Sequence, residues 1–456
     1  MKKGVVLLVV LAGIFGWIQA QQPDSVFHFR YLQIIGNRRT HPSVFLRETG
    51  RKPGDTVQFP GIQFPVWQKR LSSLGLFNHV LVESHSDTLL IQVAERVFVW
   101  GLPMLGWGDR NFNIWWKTKD AGRLIYGGTI YINNIWGRAY SAEITAIGGY
   151  NQVAGIRLTS PFTRYNRGWS YGIHAQYMTN HELWVNTAGD KLQFLHDDSR
   201  RVQQNFTAGL VQKHRLNYFR RLEFEQGYTR NIISDTAFKT NPQYLLGTAG
   251  MHTVSAGISF TDDHRNQRDY PTGGHYLRLA IQQQGLYTSA KSEFPLTALL
   301  KASFYKPFRR HWVWVSGFTA RYTTGYLPYN RLRALGYQSD YVRGYEPWVA
   351  DGNGFVLGKL ALRRALLQNR TARLGRGSAL KNYRRVPISL WMNIFADAGR
   401  VLTPALNPLN TLNKQWMTGA GAGLDFTFYY DSLVRVEAAA NGLGTVVWNF
   451  SFKNAF

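Results

Sequence analysis

The sequence contains no cysteine, and no long apolar run follows residue 20. Without cysteine, the chain cannot form disulfide bonds, cysteine-based zinc sites or a thiol catalytic centre. A helix that crosses a bilayer needs about 20 consecutive apolar residues, so we expect no such helix after residue 20. Two classes of exported protein remain, a soluble fold and a β-barrel, because only helices and closed barrels satisfy all backbone polar groups inside lipid.

Residues 1–20 show the three parts of a secretory signal peptide. Lys2 and Lys3 provide a basic start, an apolar run follows, and Ala20 is a small residue suited to cleavage. We therefore expect residues 1–20 to be removed during export.

Acidic residues are scarce relative to basic ones, which gives a formal net charge of +26. A basic chain can bind nucleic acid, but an exported protein does not meet that partner, so we expect none. Anionic lipid head groups, lipopolysaccharide and acidic proteins are better candidates. Aromatic residues make up 14% of the chain, and there are 44 glycines. This composition favours strands, tight turns and aromatic belts at a membrane interface.

Residues 25–96 predict a small α+β domain with the order strand, helix, helix, strand, strand (βααββ). Alternating aromatic residues from Phe27 to Tyr31 indicate a strand that ends in a turn at Gly36. Two helices are predicted next, because glycine stops the apolar helical pattern at Gly50 and again at Gly75. Two short strands joined by a tight turn complete the domain.

Residues 97–456 repeatedly alternate apolar and polar side chains, which predicts β-strands with one apolar face. Such alternation suits a soluble sandwich as well as a membrane barrel. One example is residues 253–260, where one face carries Val254, Ala256, Ile258 and Phe260, and the other carries Thr253, Ser255, Gly257 and Ser259.

The end of the chain favours the membrane barrel over the soluble sandwich. One side of the last strand carries Val446, Trp448, Phe450, Phe452 and Phe456. An exposed apolar edge of this kind promotes aggregation in a soluble protein, whereas a barrel closes its last strand against its first. A spanning strand takes about 10 residues, so residues 97–456 predict an all-β transmembrane barrel of about 16 antiparallel strands.

The segment "VRGYEPW" resembles the Val-Arg-Gly-Phe/Tyr motif of the outer-membrane protein assembly and secretion superfamily, which includes BamA, TamA and FhaC. About fifty residues downstream, "FADAG" resembles the family's Phe-x-Asp-x-Gly motif. Residues 263–274 and the glycine-rich residues 419–423 match further family segments in the same order. The residues that carry the two main motifs are Val342, Arg343, Gly344 and Tyr345, and Phe395, Asp397 and Gly399.

The resemblance implies a sixteen-stranded barrel with the Arg343 loop folded back into its interior. There Arg343 would pair with Asp397, because a planar guanidinium matches a carboxylate with two parallel hydrogen bonds. The chain departs from the family at Tyr345, where phenylalanine is common, and at Ala361, where glutamate is frequent. Glycines at residues 419–423 are expected to allow close packing of the folded-in loop.

Residues 25–96 resemble a POTRA domain, which implies a periplasmic module that binds partners by strand addition at a sheet edge. The matching positions are expected to have structural roles. They are Gly36, Asn37, Gly54, Asp55, Gly75 and Phe77.

The resemblance implies an outer-membrane assembly factor that receives an unfolded polypeptide through the POTRA domain and templates it at the seam of the barrel. A polypeptide-translocating secretion pore of the two-partner type and a passive structural barrel are the alternatives. We expect no enzyme, metal site or cofactor, because the sequence has neither a paired-histidine motif nor a nucleophile elbow.

Residues 363–385 contain many basic residues and no acidic one. By the family order we expect them to form a long turn that faces the periplasm. Such a turn could be simply solvated near anionic lipids, or it could dock an acidic periplasmic partner.

Overall fold

The structure, a computed structural model, describes residues 26–58, 60–107, 122, 124–164, 167–197, 199–267, 270–288, 294–373, 385–428 and 432–453. The chain divides into two compact units, Met1–Arg96 and Val97–Phe456. The expected signal peptide lies outside the described residues. No helix in the described ranges is long and apolar enough to cross a membrane.

The unit Met1–Arg96 contains a three-stranded sheet in which Thr88–Glu95 lies between Tyr31–Ile35 and Phe77–His85, parallel to the former and antiparallel to the latter. Its core is apolar and includes Val44, Phe45, Trp67, Leu71 and Ile91. The elements are β1 Val26–His28, β2 Tyr31–Ile35, α1 Pro42–Thr49, β3 Thr56–Gln58, α2 Pro60–Ser72, β4 Phe77–His85 and β5 Thr88–Glu95.

The predicted first strand is divided into β1 and β2, and β1 pairs with β3 in a separate small sheet. Phe29 lies between the two strands with its side chain buried. Its backbone is held by the loop before β3, because Gly54 N–H donates to the Phe29 carbonyl at 2.8 Å. This hydrogen bond joins residues distant in sequence, so alternation alone does not reveal it, and it accompanies the break between β1 and β2.

The positions expected to have structural roles in this unit lie in turns or in the core. Three of them adopt positive φ angles, namely Gly36, Gly54 and Gly75. Asn37 donates from its side chain to a carbonyl three residues later at 3.2 Å. Asp55 accepts a backbone hydrogen bond within its own turn at 2.9 Å. Phe77 is buried against Phe45, with ring centroids 5.4 Å apart.

The unit Val97–Phe456 is a closed antiparallel barrel, which confirms the predicted fold class. Sixteen strands among the described residues form the wall, and the last, Val446–Lys453, lies beside the first, Val99–Trp107, at the closure. In chain order the strands are β6 Val99–Trp107, β7 Leu124–Ile135, β8 Tyr140–Gly149, β9 Asn151–Thr159, β10 Gly168–Asn180, β11 Glu182–Ala188, β12 Lys191–His196, β13 Gln203–Arg215, β14 Arg220–Ile233, β15 Gly250–Asp263, β16 Gly274–Thr288, β17 Leu296–Arg309, β18 Trp312–Thr323, β19 Arg333–Leu335, β20 Ala350–Arg373, β21 Arg385–Pro404, β22 Trp416–Phe428, β23 Ser432–Asn441 and β24 Val446–Lys453.

Three of these strands are additions to the sixteen-stranded wall. β11 and β12 form a separate hairpin, and the short β19 pairs with the start of β20. Along the wall strands, apolar side chains point outward. Ile258 pairs across β15 and β16 with Ile281, for example, and both are exposed, whereas the neighbouring Ser259 is buried.

The barrel has a turn end and a loop end. The turn end has short connections between strands, such as residues 136–139 and 216–219. The loop end has the longer connections, at residues 181–202, 234–249, 324–349 and 405–415. The prediction that all of residues 363–385 form a turn is wrong, because part of this range is paired strand. β20 and β21 remain paired as far as Arg373 and Arg385, because the hydrogen-bonded ladder continues, with register shifts, well past the point where the sequence suggested a turn. Residues 374–384 lie outside the described part.

Candidate functional site

The loop that carries the Val342–Tyr345 motif lies inside the barrel against β21, β22 and β23. Val342 and Tyr345 are almost fully buried and belong to one apolar cluster with Leu335, Phe355 and Met417. On β21, Ile394 points outward and is exposed, so the buried Phe395 and Asp397 point inward toward this loop. The cluster therefore fixes the motif on the inner wall.

Arg343 and Asp397 form a two-pronged ion pair. Arg343 Nη2 lies 2.6 Å from Asp397 Oδ1, and Arg343 Nε donates to Asp397 Oδ2 at 2.8 Å. The Arg343 backbone N–H also donates to Oδ2, at 3.2 Å. The side chains are only 10% and 0% exposed, respectively. Removing either partner would leave a buried charge uncompensated, so the pair resists breaking.

A second carboxylate supports the same guanidinium. Glu437 Oε1 on β23 lies 3.3 Å from Arg343 Nη1, and the Phe395 ring lies 3.7 Å below the guanidinium carbon. Burial lowers the pKa of Arg343, but Asp397 and Glu437 outweigh that effect and raise it. A guanidinium keeps its charge at physiological pH, and the two carboxylates stabilise it here.

The residue Glu437 was not expected from the sequence. The resemblance associates a glutamate with the position of Ala361 on β20, and here Ala361 is a small buried residue. The structure places the second carboxylate on β23 instead. The available signal was weak, because Glu437 is a single acid at an inward position of an alternating strand.

The ion pairs continue from Glu437 toward the turn end. Arg435 Nε lies 3.6 Å from Glu437 and 2.7 Å from Asp425, whose side chain is 0% exposed. Tyr270, in the connection between β15 and β16, donates to Asp425 at 2.8 Å. A continuous chain of charged and polar contacts therefore joins the motif loop to a turn-end connection along β21–β23.

The backbone of the motif is also held by close contacts with β22 and β23. A methyl group added at Gly419 would lie 1.9 Å from the Arg343 carbonyl oxygen, so only glycine permits this approach. Asn441 donates from its side chain to the Gly344 carbonyl at 2.7 Å. The Tyr345 hydroxyl accepts the Gly442 N–H at 3.0 Å, a bond that the more common phenylalanine could not form.

Three of the residues expected at the barrel seam lie on the outward face of β24. Val446, Trp448 and Phe450 are 63%, 76% and 71% exposed. Phe452 lies in β24, but its side chain and Phe456 are outside the described residues. The exposed side chains of Val446, Trp448 and Phe450 lie on the opposite face of the wall from the Arg343 group, which faces the interior.

One group of side chains has ligand types that metals use. Asp262, His264 and His275 place one ligand atom each within 4.8 Å of the others. His264 Nε2 lies 3.0 Å from Asp262 Oδ1, and Arg220 Nε lies 3.4 Å from the same oxygen. Because Arg220 already supplies a permanent positive charge to this carboxylate, we assign the group to an ion-pair cluster.

Comparison with known proteins adds a family and a set of related folds. A model of the Omp85 superfamily domain matches residues 134–428. BamA from Haemophilus ducreyi lacking POTRA domains 1–3 is similar in structure, with a TM-score of 0.59, 14% identity, and coverage of 93% of this chain and 84% of that chain. CdiB from Escherichia coli is also similar in structure, with a TM-score of 0.56, 14% identity, and coverage of 93% of this chain and 74% of that chain. For CdiB from Acinetobacter baumannii, the TM-score is 0.53 and the identity 13%, with coverage of 93% of this chain and 73% of that chain.

No curated protein matches the chain in sequence. At these identities the solved structures establish the likeness of fold, and the family model covers well over half of the chain. Together with the closed barrel and the motif loop inside it, these matches show that the chain belongs to the Omp85 superfamily, whose BamA-type members the motif residues resemble.

Proposed function

We propose that the protein is an outer-membrane assembly factor that inserts β-barrel clients at the seam between β24 and β6. Membership of the Omp85 superfamily supports an outer-membrane function in assembly or secretion. The observation that favours assembly is the bracing of β21, β22 and β23, the strands that lead to the seam, by the motif loop.

Opening at the seam would separate β24 from β6, which are neighbours at the barrel closure. An opened β24 would present unpaired backbone groups, and such an edge pairs readily with an incoming strand. The exposed apolar side chains of β24 would then lie against lipid and the client.

The anchored motif loop supports this reading. It packs on β21, β22 and β23, the strands that precede β24. The buried Arg343–Asp397 pair would keep this part of the wall in one geometry while β24 and β6 separate. The loop would therefore act as an internal brace.

The unit Met1–Arg96 is proposed to be the periplasmic POTRA domain that receives an unfolded polypeptide. Its sheet has two edges, β2 and β4, because β5 lies in the centre. On β2, Tyr31 and Ile35 are 62% and 46% exposed. Exposed apolar side chains beside unpaired backbone groups suit strand addition, so we assign client binding to β2.

Two further partners are proposed from surface chemistry. The outward aromatic and aliphatic side chains of the barrel would contact outer-membrane lipid and lipopolysaccharide. The basic residues 363–385 would attract anionic lipid or an acidic periplasmic protein, although their first part lies in β20 rather than in a free turn.

Photocrosslinking at two positions tests the proposal. A photoreactive residue at Asn449 reports on β24, and one at Thr207 on β13 reports on the wall far from the seam. Assembly predicts crosslinks to unfolded barrel proteins at Asn449 with little product at Thr207. Equal crosslinking at both positions, or crosslinking at Thr207 alone, would contradict templating at the seam.

A secretion pore of the two-partner type remains the second candidate, because the interior contains a large cavity. Its volume is about 800 Å³, and its lining includes residues of β10, β13–β18 and the loop end. Transport through this space would require the motif loop to move. Depletion of a secretion pore would remove one exported protein, whereas depletion of an assembly factor would lower the level of many outer-membrane barrels, and a passive structural barrel would produce neither defect.

A further inference from the structure

Four arginines line the interior cavity without a carboxylate partner. We call Arg278, Arg321, Arg331 and Arg333 the cavity arginines. They come from β16, β18, the 3-10 helix at Tyr329–Arg331, and β19, and all line the same space of about 800 Å³. Among the described residues, no carboxylate oxygen lies within 4.0 Å of any of their nitrogen atoms.

The acidic residues of the cavity do not balance this charge. Its lining contains two carboxylates, Glu223 and Glu225. Glu223 is already paired with Lys213, with Nζ and Oε2 3.7 Å apart. The cavity therefore has an excess of positive charge.

Two other interior arginines are closely paired. Arg343 and Arg435 both have carboxylate oxygens within 2.7 Å. The cavity arginines are half-buried, and Asp340 acts on Arg321 only from beyond salt-bridge distance. An anionic group from outside the chain would therefore complete their environment. Burial is the main cause that lowers the pKa of Arg331, and the positive charge of the nearby Arg333 lowers it further. This agrees with like charges held close together.

Two of the guanidinium groups stack on aromatic rings, and that of Arg331 donates from Nη1 to Gln284 Oε1. Arg333 lies 4.5 Å above the Trp184 ring, and Arg321 lies 5.0 Å above the Phe355 ring. Stacking occupies the face of a guanidinium and leaves its N–H edge for an anion. Arg278 Nε and Arg333 Nε are buried and have no hydrogen-bond acceptor among the residues that the structure describes.

The rest of the lining suits a peptide. Side-chain amides surround the arginines, and amides as a class supply both donors and acceptors for a peptide backbone. They include Asn180, Gln203, Asn205, Asn231, Gln282 and Asn330. The volume lies within the range of about 300–1,000 Å³ typical of ligand sites.

From these observations we infer that the cavity binds an extended polypeptide segment rich in Asp and Glu, with the cavity arginines as the carboxylate-binding groups. The inference rests on the proposed handling of polypeptides and adds the chemistry of the segment that enters the barrel.

A binding measurement on the full chain in detergent micelles tests the inference. The probe is a fluorescein-labelled decapeptide of alternating Glu and Ser, read by anisotropy, with Gln-Ser and Lys-Ser decapeptides as references. We expect saturable binding of the Glu-Ser peptide alone. Replacing Arg331 and Arg333 by Gln should raise its Kd at least tenfold. The matched control replaces Arg309 and Arg310, two exposed arginines at the turn end, and should leave the Kd within twofold.

Several results would overturn the inference. An equal rise of the Kd for the Glu-Ser peptide in both double variants would show that the net charge of +26 attracts the peptide without a defined site. Binding of inorganic phosphate with no binding of the peptide would show a phosphate site. If the double variant does not fold, which the gel mobility of the unheated barrel shows, Arg278→Gln alone takes its place. The measurement uses no client, so a negative result leaves the crosslinking test of assembly unaffected.

Discussion

Replacing Asp397 by Asn should release the motif loop from the inner wall. The substitution keeps the shape of the side chain and removes the charge that Arg343 contacts at 2.6 Å and 2.8 Å. Breaking one side of a buried ion pair costs about 3–5 kcal/mol. Glu437 still lies 3.3 Å from Arg343, so we expect the lower end of this range, about 3 kcal/mol, which corresponds to roughly a 100-fold change in an opening equilibrium.

Thiol labelling measures this opening directly. The chain has no cysteine, so Val342→Cys introduces a single thiol at a fully buried position of the loop. When opening is fast relative to labelling, the rate of reaction with a maleimide follows the population of the open loop. Adding Asp397→Asn should raise the labelling rate by roughly 100-fold.

A matched control uses an ion pair that is more exposed. Glu223 pairs with Lys213 at 3.7 Å, with side chains 22% and 36% exposed. Such a pair contributes about 0–1 kcal/mol, so Glu223→Gln should change the labelling rate of the introduced thiol by less than about fivefold. A folded Asp397→Asn barrel with an unchanged labelling rate would refute the claim that this pair anchors the loop. If that variant does not fold, Arg343→Lys keeps the charge, loses the two-pronged geometry, and should also raise the rate.

Three further substitutions have defined outcomes. Gly419→Ala should raise the labelling rate of the thiol in the Val342→Cys barrel at least tenfold, because its methyl group would lie 1.9 Å from a loop carbonyl. The control Gly358→Ala, whose nearest contact is 3.9 Å away, should leave the rate unchanged, and equal effects would contradict the packing argument. Arg435→Met should lower the free energy of unfolding in urea by about 3–5 kcal/mol, since Asp425 would lose its charge partner; a loss below about 1 kcal/mol would show that this pair is exposed to water. Glu95→Ala should speed proteolysis of the unit Met1–Arg96 in the full chain, because two backbone N–H groups donate to this carboxylate at 2.7–3.1 Å; an unchanged rate would contradict its role in that fold.

Much of the barrel could be predicted from the sequence because its physical causes are local. Alternation with period two follows from strand geometry, so outward faces such as that of β15 can be identified residue by residue. The pairing of Arg343 with Asp397 came from the resemblance, and the structure brings these two residues together. The glycines at residues 419–423 were expected to permit close packing, and Gly419 lies against the loop backbone.

Contacts between residues distant in sequence could not be predicted. Glu437 approaches Arg343 only because β23 and β21 flank the same strand, and one acidic residue in a strand gives no sign of that neighbour. The cavity arginines lie on separate elements whose convergence depends on how the loop end folds. The end of β20 was misplaced because a basic, glycine-containing stretch has the composition of a turn.

The most direct test of the account fixes the motif loop to the wall. A methyl group added at Gly399 would lie 3.0 Å from a methyl carbon of Val342, and Cβ atoms joined by a disulfide are about 3.5–4.5 Å apart. Val342→Cys with Gly399→Cys should therefore form a disulfide under oxidising conditions. If clients are templated at the seam with the loop as a brace, the oxidised barrel should assemble clients at the same rate as its reduced form. Loss of activity on oxidation, with recovery on reduction, would show that the loop must move and would contradict the account.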